Sequence, residues 1–313
     1  MVAQTFIAEG ACATQILKLV GISRSTYYYR TSEGTRGRAS STHTQHTSGA
    51  MLPNALVVDA IQWLLTQEFV DYGYVKVTRC LQRQGLVINA KKVYRLMREH
   101  NLLLPKPSRD ASGKVWVKDL LPATKQPFDY LEFDIKFVRI DGTGRNAMML
   151  TIIDVMSHYT LGFLLQYSVK SEDVIALFDD VFARYATPST VRVRSDNGSQ
   201  FASTIVRKYF KKLNITQEFI RPATPDMNAH IEGYHSVVQR AVCDRISFED
   251  LEDGQRTFER FHRFYNFERL HSGIGYIAPA EKLRAMNVNV SPTSSIPMNT
   301  CQVFEPQLQE FLS

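Results

Sequence analysis

The chain has 313 residues, 44% of them apolar, and a formal charge of +6. That length accommodates one large domain with one or two small ones, and that apolar fraction excludes a wholly disordered chain. No apolar run reaches membrane-spanning length and the N-terminus lacks a signal-peptide core, so the reading is a cytoplasmic protein without a membrane partner.

Residues 13–20 read as a short helix, broken at Gly21 and followed by a second that Ser23 can cap. This is the skeleton of a helix-turn-helix lacking a first helix, and residues 1–30 are assigned to it. DNA reading, a dimerisation stub and a remnant are all compatible with it. Residues 31–52 hold Ser, Thr, Gly and His with few large apolar side chains and read as a flexible linker. The widely spaced Cys12, Cys80, Cys243 and Cys301 read as reduced thiols.

Residues 53–109 read as a second, helical DNA-binding unit. Leu56, Val57, Ala60, Ile61, Leu64 and Leu65 recur at helical spacing, and Asp71-Tyr72-Gly73-Tyr74 interrupts them. Asn89 can cap a helix over 90–100, with Val93, Leu96 and Met97 on one stripe and Lys91, Arg95 and Arg98 on another; Lys92 adds to the charge. Between Tyr74 and Arg109, nine Lys and Arg stand against one Glu, a net +8 that leaves −2 for the rest. Such a concentration suits a phosphate-docking surface, with a solvated basic helix pair as the plain alternative.

Residues 110–127 form a connector, and from 128 the period changes. Residues 130–140 alternate as a strand, Asp141-Gly142 marks a turn, and strands follow over 147–153 and 159–165. Helix 172–185, strand 191–195, helix 203–213 and strand 215–220 come next. Three meander strands followed by alternating helices predict a mixed α/β sheet of five strands flanked by helices over 128–245, with a helical tail over 246–313.

In that layout Asp134 lies on the central strand, Asp196 ends the fourth strand beside it, and Glu232 rides near the start of the following helix. Asn197-Gly198 permits a tight exit from the strand, and Asn228, one turn before Glu232, can orient it. Three convergent carboxylates repel unless protonated or bridged by metal, and their hard oxygens suit magnesium or manganese. Two such ions can activate a water or a 3′-hydroxyl in phosphoryl transfer.

Several segments together resemble the OrfB-type transposases of bacterial insertion sequences, within the DDE superfamily of retroviral-type integrases. Ile16 to Arg30 is similar to the family's opening segment, and Tyr72-Gly73-Tyr74 with Lys91 to Arg98 to its accessory helix-turn-helix. Ser195-Asp196-Asn197-Gly198-Ser199-Gln200-Phe201 and Asp226 to Glu232 are similar to its second and third catalytic blocks. Tyr265-Asn266, Arg269, His271 and Pro279 resemble its C-terminal signature.

The resemblance implies an RNase H-like core preceded by small helical helix-turn-helix units. It implies Asp134, Asp196 and Glu232 as catalytic metal ligands, and cleavage and strand transfer at element ends. It implies double-stranded DNA as partner, a homo-oligomer on DNA, and an OrfA partner encoded upstream. Asp154 has no metal role there. The chain departs from the family seven residues after Glu232, where Gln239 replaces Lys or Arg and Arg240 follows. On an α-helix Gln239 returns to within roughly 20° of Glu232 and Arg240 lies roughly 80° away; both are candidate DNA contacts.

Lys136 can neutralise DNA or face outward, and His235 can touch substrate or be solvated. A DNA-binding copy without activity, which would occupy element ends and repress transposition, is the alternative function; a stand-alone RNase H-type nuclease is a third.

Overall fold

The computed structural model describes residues 2–28, 40–105, 124–220 and 228–291. The connector over 110–127 lies mostly outside these residues, as do Arg30, Asp226, Cys301 and the end of the tail.

Residues 1–42 form one compact unit and residues 43–313 another. The first holds α1 (Val2–Ala8), α2 (Ala13–Leu19) and α3 (Arg24–Tyr27). The expected missing first helix is therefore present as α1, and Ala3 and Leu17 are buried in this unit. Ser23 caps α3 by accepting the Thr26 N–H at 3.1 Å. Gly21 turns the chain at φ +67°, a conformation a side chain disfavours.

The second unit opens with a hairpin, β1 (His43–His46) and β2 (Met51–Pro53), within the stretch expected as linker. Thr44 and Leu52 pair across it and are both buried, which anchors a segment otherwise poor in apolar residues. Helices α4 (Asn54–Thr66), α5 (Tyr74–Arg83) and α6 (Ala90–Glu99) follow, with β3 (Leu86–Val87) between the last two. The helices expected here are present, accompanied by a small antiparallel sheet of order β2-β1-β3. Asn89 caps α6, its side chain accepting the Lys92 N–H at 2.9 Å.

The large sheet comprises β4 (Tyr130–Ile140), β5 (Arg145–Asp154), β6 (Thr160–Gln166), β7 (Arg192–Ser195) and β8 (Thr216–Phe219). Its order is β6-β5-β4-β7-β8. The meander β4-β5-β6 is antiparallel, and β7 and β8 add parallel to β4. This is the mixed five-stranded sheet, with α7 (Ser171–Arg184) and α8 (Thr204–Lys212) as crossovers.

Alternation along β4 divides the core. Leu131 and Phe133 face α7 and α8, where the Phe133 ring meets Phe178 at 5.1 Å and Phe201 at 4.9 Å. Val138 and Ile140 face α9 (Ala229–Val238), a π-helical turn over Gln239–Cys243 and α10 (Leu251–Phe267), while α11 (Pro279–Ala285) joins the opposite cluster. The cluster of Val138 and Ile140 runs without a break into the core of α4–α6. Asn266 of α10 closes the β6 edge, accepting the Thr160 N–H at 2.9 Å and donating to its carbonyl at 2.9 Å. The amide thus stands in for a missing strand.

Candidate active site

Glu132, Asp134 and Lys136 share one face of β4, toward α9, because strand side chains alternate. Glu132 is completely buried. Its Oε2 accepts the Ile231 N–H at 2.9 Å and its Oε1 lies 3.1 Å from His230 Nδ1. An unpaired backbone donor near the start of a helix is thereby satisfied, and α9 is docked on β4. Glu132 was not among the candidates read from the sequence. Its same-face spacing from Asp134 was the available signal.

Asp134 lies one step further along, its Oδ2 3.7 Å from His235 Nδ1. Burial, and after it the charges of Asp196, Glu232 and Glu132, push its carboxyl up to about 7. Asp196 and Glu232 therefore both act on Asp134. On the neighbouring strand Glu132 pairs with Arg194, and Asp134 and Asp196 each stand two residues beyond that pair. Asp196 Oδ1 accepts the Gly198 N–H at 2.9 Å, and Asn197 Nδ2 donates to the Ile220 carbonyl at 2.9 Å. Asn197 and Gly198 thus fix the turn that presents Asp196.

Asn228 is buried at the N-cap of α9 without a side-chain capping bond, and its Oδ1 has no hydrogen-bond partner among the described residues. It shows no bond to Glu232 there, so the expected orienting contact is absent among the described residues.

His235 is not a solvated helix histidine. Only 13% of its side chain is exposed, and burial together with Lys136 lowers its pKa to about 4. It is neutral at neutral pH beside Asp134. Lys136 therefore lies on the α9 side rather than outward. Asp154 is structural, accepting the N–H groups of Phe128 at 3.0 Å and Ser157 at 2.9 Å.

The expected DNA contacts divide. Lys91 and Arg98 are exposed on α6. Lys92 donates to the His43 carbonyl at 2.5 Å, tying α6 to the hairpin, and Arg95 pairs with Glu99 at 3.8 Å. Gln239 Nε2 donates to Asp244 Oδ1 at 2.7 Å, and Arg240 Nε lies 3.4 Å from Asp71. The π-helical turn starting at Gln239 alters the angular step, so the α-helical angle does not hold at Arg240.

For a divalent cation the donor chemistry fits: carboxylate oxygens from β4, the turn after β7 and α9, with Asp134 raised first by burial and then by the neighbouring carboxylates. Among the described residues no three His, Cys, Asp or Glu side chains gather closely enough to enclose an ion. No helix among them is long and apolar enough to cross a membrane.

An integrase core domain model matches residues 124–225, a second integrase core model residues 213–279, and an HTH-like domain model residues 53–109. The chain is 27% identical over 217 residues to an uncharacterized 39.2 kDa protein of insertion element IS476 from Xanthomonas euvesicatoria. That match takes in 69% of this chain and 62% of the Xanthomonas protein, less than two thirds of its length. It is 25% identical over 309 residues to transposase InsD of insertion element IS2 from Escherichia coli, covering 92% of this chain and 96% of that one. A chain of the simian T-cell lymphotropic virus intasome is similar at 12% identity and a TM-score of 0.45, over 77% of this chain and 78% of its own. The chain thus carries matches to integrase core and HTH-like domain models and is similar to insertion-element transposases over most of its length.

Proposed function

We propose that the chain is a DDE-type polynucleotidyl transferase that nicks DNA at the ends of an insertion element and joins the freed 3′-hydroxyl to a target. The observation that carries this reading is that Asp196, in the turn after β7, and Glu232, on α9, both act on the half-buried carboxyl of Asp134 on β4. Magnesium or manganese, as two ions held by these residues, would activate the attacking oxygen and stabilise the leaving one.

The chain's own groups prepare the site. Glu132 holds the helix bearing Glu232 against the strand bearing Asp134. The Gly198 N–H holds the Asp196 carboxylate in one orientation. His235, neutral, flanks Asp134 without contributing a charge that would compete for it. Lys91 and Arg98 offer exposed charge to the phosphates of double-stranded DNA. The protein would act in the cytoplasm as an oligomer bridging two ends, with an upstream-encoded OrfA product as a further partner.

The test is an end-labelled duplex carrying the element's terminal repeat, incubated with the purified chain and magnesium, then with EDTA. Metal-dependent nicking at the repeat boundary is expected, reduced at least about a hundredfold by Asp196→Asn. Retardation of the duplex with no nicking would overturn the reading.

A further inference from the structure

Residues 68–72, which run into the break expected at Asp71-Tyr72-Gly73-Tyr74, are gripped residue by residue by the C-terminal segment. Glu68 pairs with Arg260 at 3.1 Å. Phe69 packs its ring on Phe261 and Phe264, at 5.4 and 5.9 Å. The Val70 carbonyl accepts from Arg245 Nη1 at 2.7 Å. Asp71 Oδ1 pairs with Arg269 Nη1, the two side chains being only 4% and 1% exposed. The Tyr72 hydroxyl accepts the Leu270 N–H at 3.0 Å.

Two features set this apart from ordinary packing. Phe69 sits at φ +66°, a left-handed conformation that a bulky residue adopts only when its surroundings impose it. The Asp71–Arg269 pair is also out of water, where losing one partner strands the other's charge. Beyond the segment, Arg83 makes a two-pronged contact with Glu281 at 3.1 and 2.7 Å, and Arg79 lies over the Tyr276 ring at 5.1 Å. Helix α5, which supports α6 with its exposed Lys91 and Arg98, is thus held near both of its ends. Packing continues from Phe69 through Phe261 to Tyr234, two residues from Glu232 on α9.

We propose that the Asp71–Arg269 pair and the Tyr72–Leu270 bond form a latch that locks the HTH-like unit to the catalytic core. Asp71, Tyr72 and Arg269 are then positioning residues: they fix the distance along bound DNA between the contacts of α6 and the site of cleavage. The DNA consequence rests on the function proposed above; the latch itself does not.

The two levels are tested separately on the full chain. Backbone hydrogen exchange is compared for the unaltered protein, Asp71→Asn and the milder Tyr72→Phe, each checked for native circular dichroism. Exchange should quicken about tenfold or more in both 68–74 and 268–278 together, while β4 and α4 stay slow. Quickening on one side alone, or in neither, overturns the latch. In the nicking assay, the same variants should scatter the cut over neighbouring positions. A uniform loss of product at an unmoved position overturns the positioning role. Coupled exchange in a chain that nicks no DNA would sustain the latch and overturn the functional reading instead.

Discussion

Glu132 Oε2 accepts the Ile231 N–H at 2.9 Å, so a buried carboxylate on β4 holds the start of the helix that carries Glu232. The same carboxylate reaches His230 through its other oxygen. Replacing it with alanine leaves a buried backbone donor without a partner and opens a cavity. Glu132→Ala should therefore lose about 3 kcal/mol of stability, and Glu132→Gln, which keeps one acceptor, about 1–2 kcal/mol. Urea unfolding at fixed pH measures both. Metal-dependent nicking by the glutamine variant should fall even at temperatures where it is fully folded, since the position of α9 is altered. A glutamine variant with full activity would show that Glu132 does not set the site.

Asp134 carries a second, opposite prediction. Its carboxyl is held near 7 in the fold, against an ordinary value of 3.8, chiefly by burial. The folded chain thus favours the protonated acid. Stability from this group is complete below the unfolded pKa and is lost as pH rises through about 7. In EDTA, Asp134→Asn should match the unaltered chain near pH 4 and exceed it near pH 8, by at most about 4 kcal/mol. Magnesium at about a hundredfold over its Kd should add about 2.7 kcal/mol to the unaltered chain and far less to the variant. Thermal melts across pH, with and without magnesium, decide it. A variant no more stable at high pH would remove the evidence that the carboxylates are crowded.

The parts of this site legible in the sequence are those that local periodicity marks. Asp134 sits within a long alternating strand, and Asp196 stands at a strand end before Asn197-Gly198. The parts that were not legible depend on partners distant in sequence. Asp71 and Tyr72 look like a helix break until Arg269 and Leu270 arrive 198 residues later. Asn266, part of the C-terminal signature, carries no local sign that it closes the β6 edge. The hairpin of β1 and β2 buries only Thr44 and Leu52, too few side chains for alternation to reveal. The π-helical turn after α9 leaves no periodic trace in five residues, yet it redirects Arg240 toward Asp71.

That turn also changes what a lysine at position 239 would do. Gln239 bonds to Asp244 Oδ1 at 2.7 Å, so an ammonium there would find a carboxylate before it found a phosphate. Gln239→Lys alone should raise end cleavage only modestly. Gln239→Lys with Asp244→Asn should raise it further, because the released cation gains a phosphate contact. One added phosphate contact should also steepen the salt dependence of binding by about one unit in the log–log slope. Gel retardation over a range of salt, alongside nicking rates, separates the two variants. Equal slopes for both would show that residue 239 does not face the DNA.

Two glycines should respond in opposite directions to the same substitution. Gly142, in the turn between β4 and β5, donates its N–H to the Phe248 carbonyl at 3.1 Å. A Cβ there would lie 2.1 Å from the Glu249 carbonyl oxygen, which is backbone and cannot swing aside. Gly142→Ala should push the meander off the tail segment and lose about 2–3 kcal/mol. Gly233 lies within α9, where a Cβ would meet nothing within 4 Å, and glycine is a poor helix former. Gly233→Ala should gain about 0.5–1 kcal/mol by stiffening the helix that bears Glu232. Chemical unfolding of both variants gives the signs directly. A destabilised Gly233→Ala would show that this face of α9 has no room for a methyl group, against the open space around it.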